Sequence, residues 1–103
     1  FKHWGRLHEI NDAGDYRINK LHIDPGRKIT YQYHNHRVES WYILAGSARV
    51  NIKGVISLLG PGDCVAIKPA QHHSIENASV EEPLLVIEIQ HGKDINDADV
   101  ERI

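Results

Sequence analysis

The chain reads as an all-β protein, a sandwich or barrel of short strands. Turn-forming residues recur at close intervals, at Asp12-Ala13-Gly14-Asp15, Asp24-Pro25-Gly26, Gly46, Lys53-Gly54, Gly60-Pro61-Gly62-Asp63 and Glu81-Glu82-Pro83. The segments between them are rich in Ile, Val, Tyr and Leu and mostly alternate apolar with polar residues, as half-buried strands do. Before the tail, no segment sustains the apolar period of about 3.6 residues that an amphipathic helix needs, so many short strands in one layered or closed sheet remain.

In chain order, the predicted strands are residues 16–23, 28–36, 40–45, 48–52, 65–67, 73–77 and 84–90. Each is bounded by the turn signals above or by a short polar break. Residues 94–103 open on the acidic run Asp94-Ile95-Asn96-Asp97 and are expected to form a short terminal turn or a loose tail. At 103 residues the chain fits a single domain, residues 1–103, with one core. It shows no internal repeat, low-complexity segment or linker.

The run Gln32-Tyr33-His34-Asn35-His36-Arg37-Val38-Glu39-Ser40-Trp41 carries the most chemistry. If the strand continues through it, alternation sends Gln32, His34 and His36 to one face and Tyr31, Tyr33 and Asn35 to the other. A turn after His36 would bring Glu39 back onto the same pocket. Nitrogen and carboxylate donors together suit zinc, iron, manganese or nickel, whereas the bland alternative is a pair of surface histidines. A remote donor is available in His72-His73-Ser74-Ile75-Glu76-Asn77, where His73, Ile75 and Asn77 share a face.

A formal charge of −2 leaves no broad basic field, so neither nucleic acid nor an anionic membrane is expected as a partner. No apolar stretch approaches the roughly 20 residues that span a bilayer, and no charged and apolar leader precedes the first strand. A soluble, cytoplasmic protein is the expectation. Cys64, the single cysteine, lies in the apolar run Cys64-Val65-Ala66-Ile67 and reads as a small buried thiol in a reducing compartment. The sequence contains no methionine, which marks a trimmed chain or part of a longer protein.

These spacings resemble the cupins, small jelly-roll (double-stranded β-helix) barrels that hold a metal inside the mouth. The first cupin motif, roughly G-x5-H-x-H-x3,4-E-x6-G, is matched from Gly26 through His34, His36 and Glu39 to Gly46, with a longer first gap and a shorter gap before Glu39. The second, roughly G-x5-P-x-G-x2-H-x3-N, is nearly matched by Gly62, Pro69, His73 and Asn77, with Gln71 where a glycine is usual. Within cupins the chain is most similar to type II mannose-6-phosphate isomerases, including the isomerase domain fused to mannose-1-phosphate guanylyltransferases. His3-Trp4-Gly5, Tyr16-Arg17-Ile18, Pro25-Gly26, His34-Asn35-His36-Arg37-Val38-Glu39-Ser40-Trp41 and Leu44-Ala45-Gly46 carry that likeness; Ser40 and His3 replace the family's usual histidine and proline.

The resemblance implies a divalent metal, Zn, Mn, Fe or Ni, held by His34, His36, Glu39 and His73, with Gln32 and Asn77 as further ligands or orienting groups. On that reading His36→Ala loses the metal. It implies a sugar phosphate as substrate, mannose 6-phosphate or fructose 6-phosphate, and a homodimer. For moving a proton or gripping the phosphate the sequence offers Lys20, His72 and Arg37. Lys20 and His22 could instead form an outward polar face, alternation sets His72 opposite His73, and Arg37 could pair with Glu39 or sit at the rim. Trp41 shares the parity of Glu39 and reads as core. Two other functions fit the same donors: an iron-dependent dioxygenase, and a non-catalytic metal- or sugar-binding regulatory module.

Overall fold

The computed structural model describes residues 2–92, residue 95 and the strand at 101–102. Its strands, in chain order, are β1 Gly5–Asp12, β2 Tyr16–Ile23, β3 Lys28–Tyr33, β4 Val38–Ala45, β5 Ala48–Ile52, β6 Val55–Leu59, β7 Cys64–Ile67, β8 His73–Asn77, β9 Leu84–His91 and β10 Glu101–Arg102. No helix occurs among the described residues. The strands form two antiparallel five-stranded sheets, β1-β2-β9-β4-β7 and β10-β3-β8-β5-β6. This is the all-β architecture that the recurring turns predicted, in the jelly-roll form that the resemblance to cupins implied.

Alternation decides what fills the space between the sheets. Leu21 and Ile23 of β2, Trp41 and Ile43 of β4, and Leu84 and Val86 of β9 point inward from the first sheet. Ala48 and Val50 of β5 and Ile75 of β8 meet them from the second. Each fully buried Ile, Leu or Val contributes about 1.5–3 kcal/mol relative to exposure. This apolar mass occupies one end of the barrel. At the other end the same inward parity delivers Asn19, Glu39, His73, Glu88 and Gln90, all buried. A strand with inward apolar residues at one end and inward polar residues at the other therefore builds core and site in one pass.

The structure departs from the sequence reading in several strands, and β4, β7 and β9 run one or two residues longer than expected. The strand expected over residues 28–36 ends at Tyr33, because the chain bends at Asn35 and His36. β1 and β6 were not anticipated: β1 is polar and mostly exposed, and β6 exposes apolar residues on both faces, so neither shows a clean alternation. The tail expected at residues 94–103 lies largely outside the described residues; Glu101 and Arg102 within it pair with Tyr33 and Gln32 of β3. Cys64 is exposed rather than buried, because β7 is an edge strand of the first sheet.

Gly46 shows how closely the site-bearing sheet is closed at its apolar end. Its φ is +94°, and a Cβ there would stand 2.6 Å from the Pro83 carbonyl oxygen and 3.0 Å from Leu84 Cα. Both neighbours are backbone and cannot swing aside. Gly46→Ala is expected to destabilise the domain by about 2–3 kcal/mol in urea unfolding, with an unchanged m-value.

Candidate metal centre

Glu39 enters the barrel from the start of β4 and is buried between two imidazoles. Its Oε1 lies 3.3 Å from His34 Nε2 and 3.2 Å from His73 Nε2. The three side chains come from separate places: His34 from the loop after β3, Glu39 from β4 and His73 from the first position of β8. One ligand atom from each lies within 4.8 Å of the others.

The hydrogen-bond directions test whether a metal suits them. His73 Nδ1 is 2.8 Å from the Gln71 carbonyl oxygen, which can only accept, so Nδ1 carries a proton; in the neutral ring Nε2 then presents a lone pair to Glu39. His73 Nε2 and Glu39 Oε1 are both buried without a hydrogen-bond partner among the described residues. Two lone pairs facing at this distance repel unless a positive charge lies between them, either a metal ion or a second proton on the ring. Ligands about 2.1 Å from an ion, at angles between octahedral and tetrahedral, stand roughly 3.0–3.4 Å apart. The donor set and its spacing fit a divalent metal, with His34, Glu39 and His73 as holders. The Gln71 carbonyl supplies the outer bond that fixes the His73 tautomer.

Arg37 belongs to the same cluster. It is buried, its Nη2 donates to His34 Nε2 at 3.0 Å, and it lies 3.4 Å from Glu39 Oε2. Since a guanidinium only donates, it uses the His34 lone pair that a metal would need, and the two cations compete for it. Burial alone would raise the Glu39 pKa, but the neighbouring imidazoles and the Arg37 charge outweigh it and hold the carboxyl well below its usual range.

Other expected site residues are placed differently. His36 is exposed and lies outside the His34, Glu39 and His73 cluster, because the bend after Tyr33 breaks the alternation that would have paired it with His34. Lys20 is exposed on the outer face of β2, and on the same face His22 contacts Arg6 and Asp24; Asn19, Leu21 and Ile23 hold the inner face. His72 stacks on Tyr33 with ring centroids 4.7 Å apart and meets the edge of Tyr31, on the opposite side of β8 from His73. Asn77 is buried, but its amide donates to the carbonyls of Ile23 and Glu82 and its oxygen accepts from Ser79 N–H. It ties down the turn before β9 and does not orient His73. Gln32 lines the cavity and stands opposite His73 in the β3–β8 register.

The cavity measures about 440 Å³ and is lined by His34, Glu39, Arg37 and a group that sequence reasoning missed: Asn19, Glu88 and Gln90. Glu88 receives hydrogen bonds from Asn19 Nδ2 at 3.1 Å, Gln90 Nε2 at 3.0 Å and the Trp41 indole N–H at 3.0 Å. Trp41 is thus core, as expected, and also a donor to the site. Gln90 Nε2 continues to Glu39 Oε2 at 2.9 Å. The available signal was polar residues on the inward parity of apolar strands, Glu88 and Gln90 after Leu84 and Val86, and Asn19 before Leu21 and Ile23.

Burial and the Glu39 charge push the Glu88 pKa up to about 8. The folded state therefore keeps a proton that the unfolded chain, with an ordinary carboxyl, loses above about pH 4.5. Between that pH and about 8 the native state binds more protons, so stability falls as pH rises. For chelator-treated protein, unfolding free energy should decline across this window by up to about 1.4 kcal/mol per pH unit, and Glu88→Gln should flatten the decline. Denaturant melts at several pH values check it; equal slopes for the two proteins would contradict it.

Comparison with known proteins agrees with the geometry. The family described as "Mannose-6-phosphate isomerase C-terminal" matches residues 1–103. The mannose-1-phosphate guanylyltransferase of Escherichia coli K12 is 37% identical over 103 residues, covering 99% of this chain and 21% of that protein. The corresponding Salmonella typhimurium protein is 33% identical over 102 residues, covering 99% and 21%. The chain thus spans about a fifth of the length of these curated relatives. Among solved structures, a cupin 2 domain-containing protein from Halorhodospira halophila superposes with a TM-score of 0.85 at 22% identity, covering 100% of this chain and 73% of that one. An oxalate decarboxylase from Lactobacillus farciminis gives 0.83 at 20% identity, covering 100% and 32%. These likenesses establish the cupin fold, and the full-length family match establishes the lineage: the chain belongs to the mannose-6-phosphate isomerase C-terminal family.

Proposed function

We propose that this chain is a metal-dependent sugar-phosphate isomerase domain of a sugar-nucleotide pathway, interconverting an aldose and a ketose phosphate such as mannose 6-phosphate and fructose 6-phosphate. The observation that carries the reading is the buried Glu39 carboxylate held between His34 and His73 at the wall of a 440 Å³ cavity. The family match and relatives named for mannose-1-phosphate support the substrate class. A bound divalent ion, Zn, Mn, Fe or Ni, would supply Lewis acidity toward a carbonyl or hydroxyl oxygen. The protein's own groups do the rest. Lys2, Arg17, which pairs with Glu9 and Asp12, and Arg37, which lies beside Glu39, are the cations of the cavity lining that a phosphate would meet. Glu88 replaces Lys20 and His72 as the group placed to hold a proton, since it is the buried titratable carboxyl lining the cavity beside Glu39. A cytoplasmic homodimer is the setting proposed for it.

One observation favours a second reading. Arg37 already supplies a cation to His34 and Glu39, an arrangement that serves a non-catalytic sugar-binding or regulatory module equally well. Metal analysis of the purified protein, with an interconversion assay on mannose 6-phosphate run with and without chelator, separates the two. The isomerase reading expects about one metal per chain and turnover abolished by chelation. Metal without turnover on any hexose phosphate would favour the module, and oxygen consumption by an iron-loaded form would favour a dioxygenase. His73→Ala should weaken metal binding at least about 100-fold. The exposed position of His36 reverses the expectation from sequence: His36→Ala should keep its metal affinity within about threefold, measured by competition with a chromogenic chelator.

A further inference from the structure

The cavity wall carries unmet hydrogen-bonding capacity of both kinds. Arg37 is 7% exposed, and its Nε and Nη1 are buried donors without a partner among the described residues. Asn19 and Gln90 are 1% and 5% exposed, and their carbonyl oxygens are buried acceptors without a partner among the described residues. Gln90 Nε2 faces Glu39 as well as Glu88, so turning that amide over would set its oxygen against the charged Glu39 carboxylate. Asn19 Nδ2 donates to Glu88 Oε1, and its Oδ1 is the buried acceptor left over. Asn19, Arg37 and Gln90 all line the one cavity that Glu39 and His34 also line.

We infer that Asn19 and Gln90 are specificity residues: their carbonyl oxygens receive hydroxyl donors of a polyol while Arg37 donates to oxygens of the same ligand. A hydroxyl both donates and accepts, so a ligand with adjacent hydroxyls meets both sides of the wall. A carboxylate only accepts. A dicarboxylate such as oxalate would satisfy Arg37 and set its oxygens against Asn19, Gln90 and Glu39. On this account the polar residues at the inward ends of β2 and β9 select against dicarboxylates and for sugars. The inference rests on the sugar-phosphate reading and names the residues that enforce it.

The test is calorimetric titration of the manganese-loaded chain with D-mannose 6-phosphate, its 2-, 3- and 4-deoxy analogues, free D-mannose and oxalate. At least one deoxy analogue should bind about tenfold more weakly than the parent, and oxalate at least tenfold more weakly. Asn19→Ala should lose about tenfold on the parent and show no further loss with the analogue lacking the matching hydroxyl. A merely structural role for Asn19 would weaken every ligand alike. The wild-type series decides the matter even if the variant does not fold. Deoxy analogues all within twofold of the parent, or oxalate binding as tightly as the sugar, would overturn the inference. Binding of mannose 6-phosphate without turnover would remove the isomerase and leave it standing. Binding of free mannose alone, with the same deoxy dependence in the unphosphorylated series, would remove only the phosphate; binding of neither sugar would overturn it.

Discussion

A carboxylate taken out of water must find compensating charge, and in this barrel that requirement falls on Glu39. It is buried at 2% exposure among His34, His73 and Arg37, with Gln90 donating to its second oxygen. Burying an ion without partners costs several kcal/mol even after relaxation, so the surrounding positions cannot be chosen independently. His73 needs the Gln71 carbonyl to fix its tautomer, and Gln90 needs Glu88 to keep its amide turned the right way. The chemistry of the site is the means by which one buried charge is tolerated.

That requirement also explains how the polar end of the barrel is divided. Glu39 and Glu88 are near enough to influence each other, and both cannot be charged at low cost. Arg37 and the two imidazoles gather around Glu39 and lower its pKa, while Glu88 receives neutral donors from Asn19, Gln90 and Trp41 and keeps its proton. Two similar carboxyls thereby acquire opposite states, one charged and one a neutral acid, from their surroundings alone. The order of polar and apolar residues along β2, β4 and β9 carries this arrangement into the fold, since the same strands pack the core at their other ends.

Much of this was legible in the chain. Short alternating segments between Gly, Pro and Asp turns predicted an all-β barrel, and residues 16–23, 48–52 and 73–77 match their strands end to end. His34, Glu39 and His73 stood out through donor chemistry and spacing, and the structure brings them together. What failed was reasoning that extended a local pattern past its support. Alternation joined His36 to His34, but the strand stops at Tyr33, and parity has no meaning through a bend. Lys20 was a candidate because it is basic, yet its parity opposes that of Leu21 and Ile23. Glu88, Asn19 and Gln90 were overlooked because a single inward polar residue on an apolar strand looks like noise until partners from other strands converge on it.

The arrangement of Arg37 leaves a sharp question about which cation the carboxylate was built for. If the buried donors form a metal centre, a divalent ion should take the His34 lone pair and Arg37 should turn its donors elsewhere. A crystal structure of manganese-soaked protein, with anomalous scattering measured at the manganese edge, reads this directly. The account predicts one strong peak among His34, Glu39 and His73, with the Arg37 guanidinium drawn off His34. No peak there, with Arg37 still on His34 or with the ion on the exposed His36 instead, would contradict it.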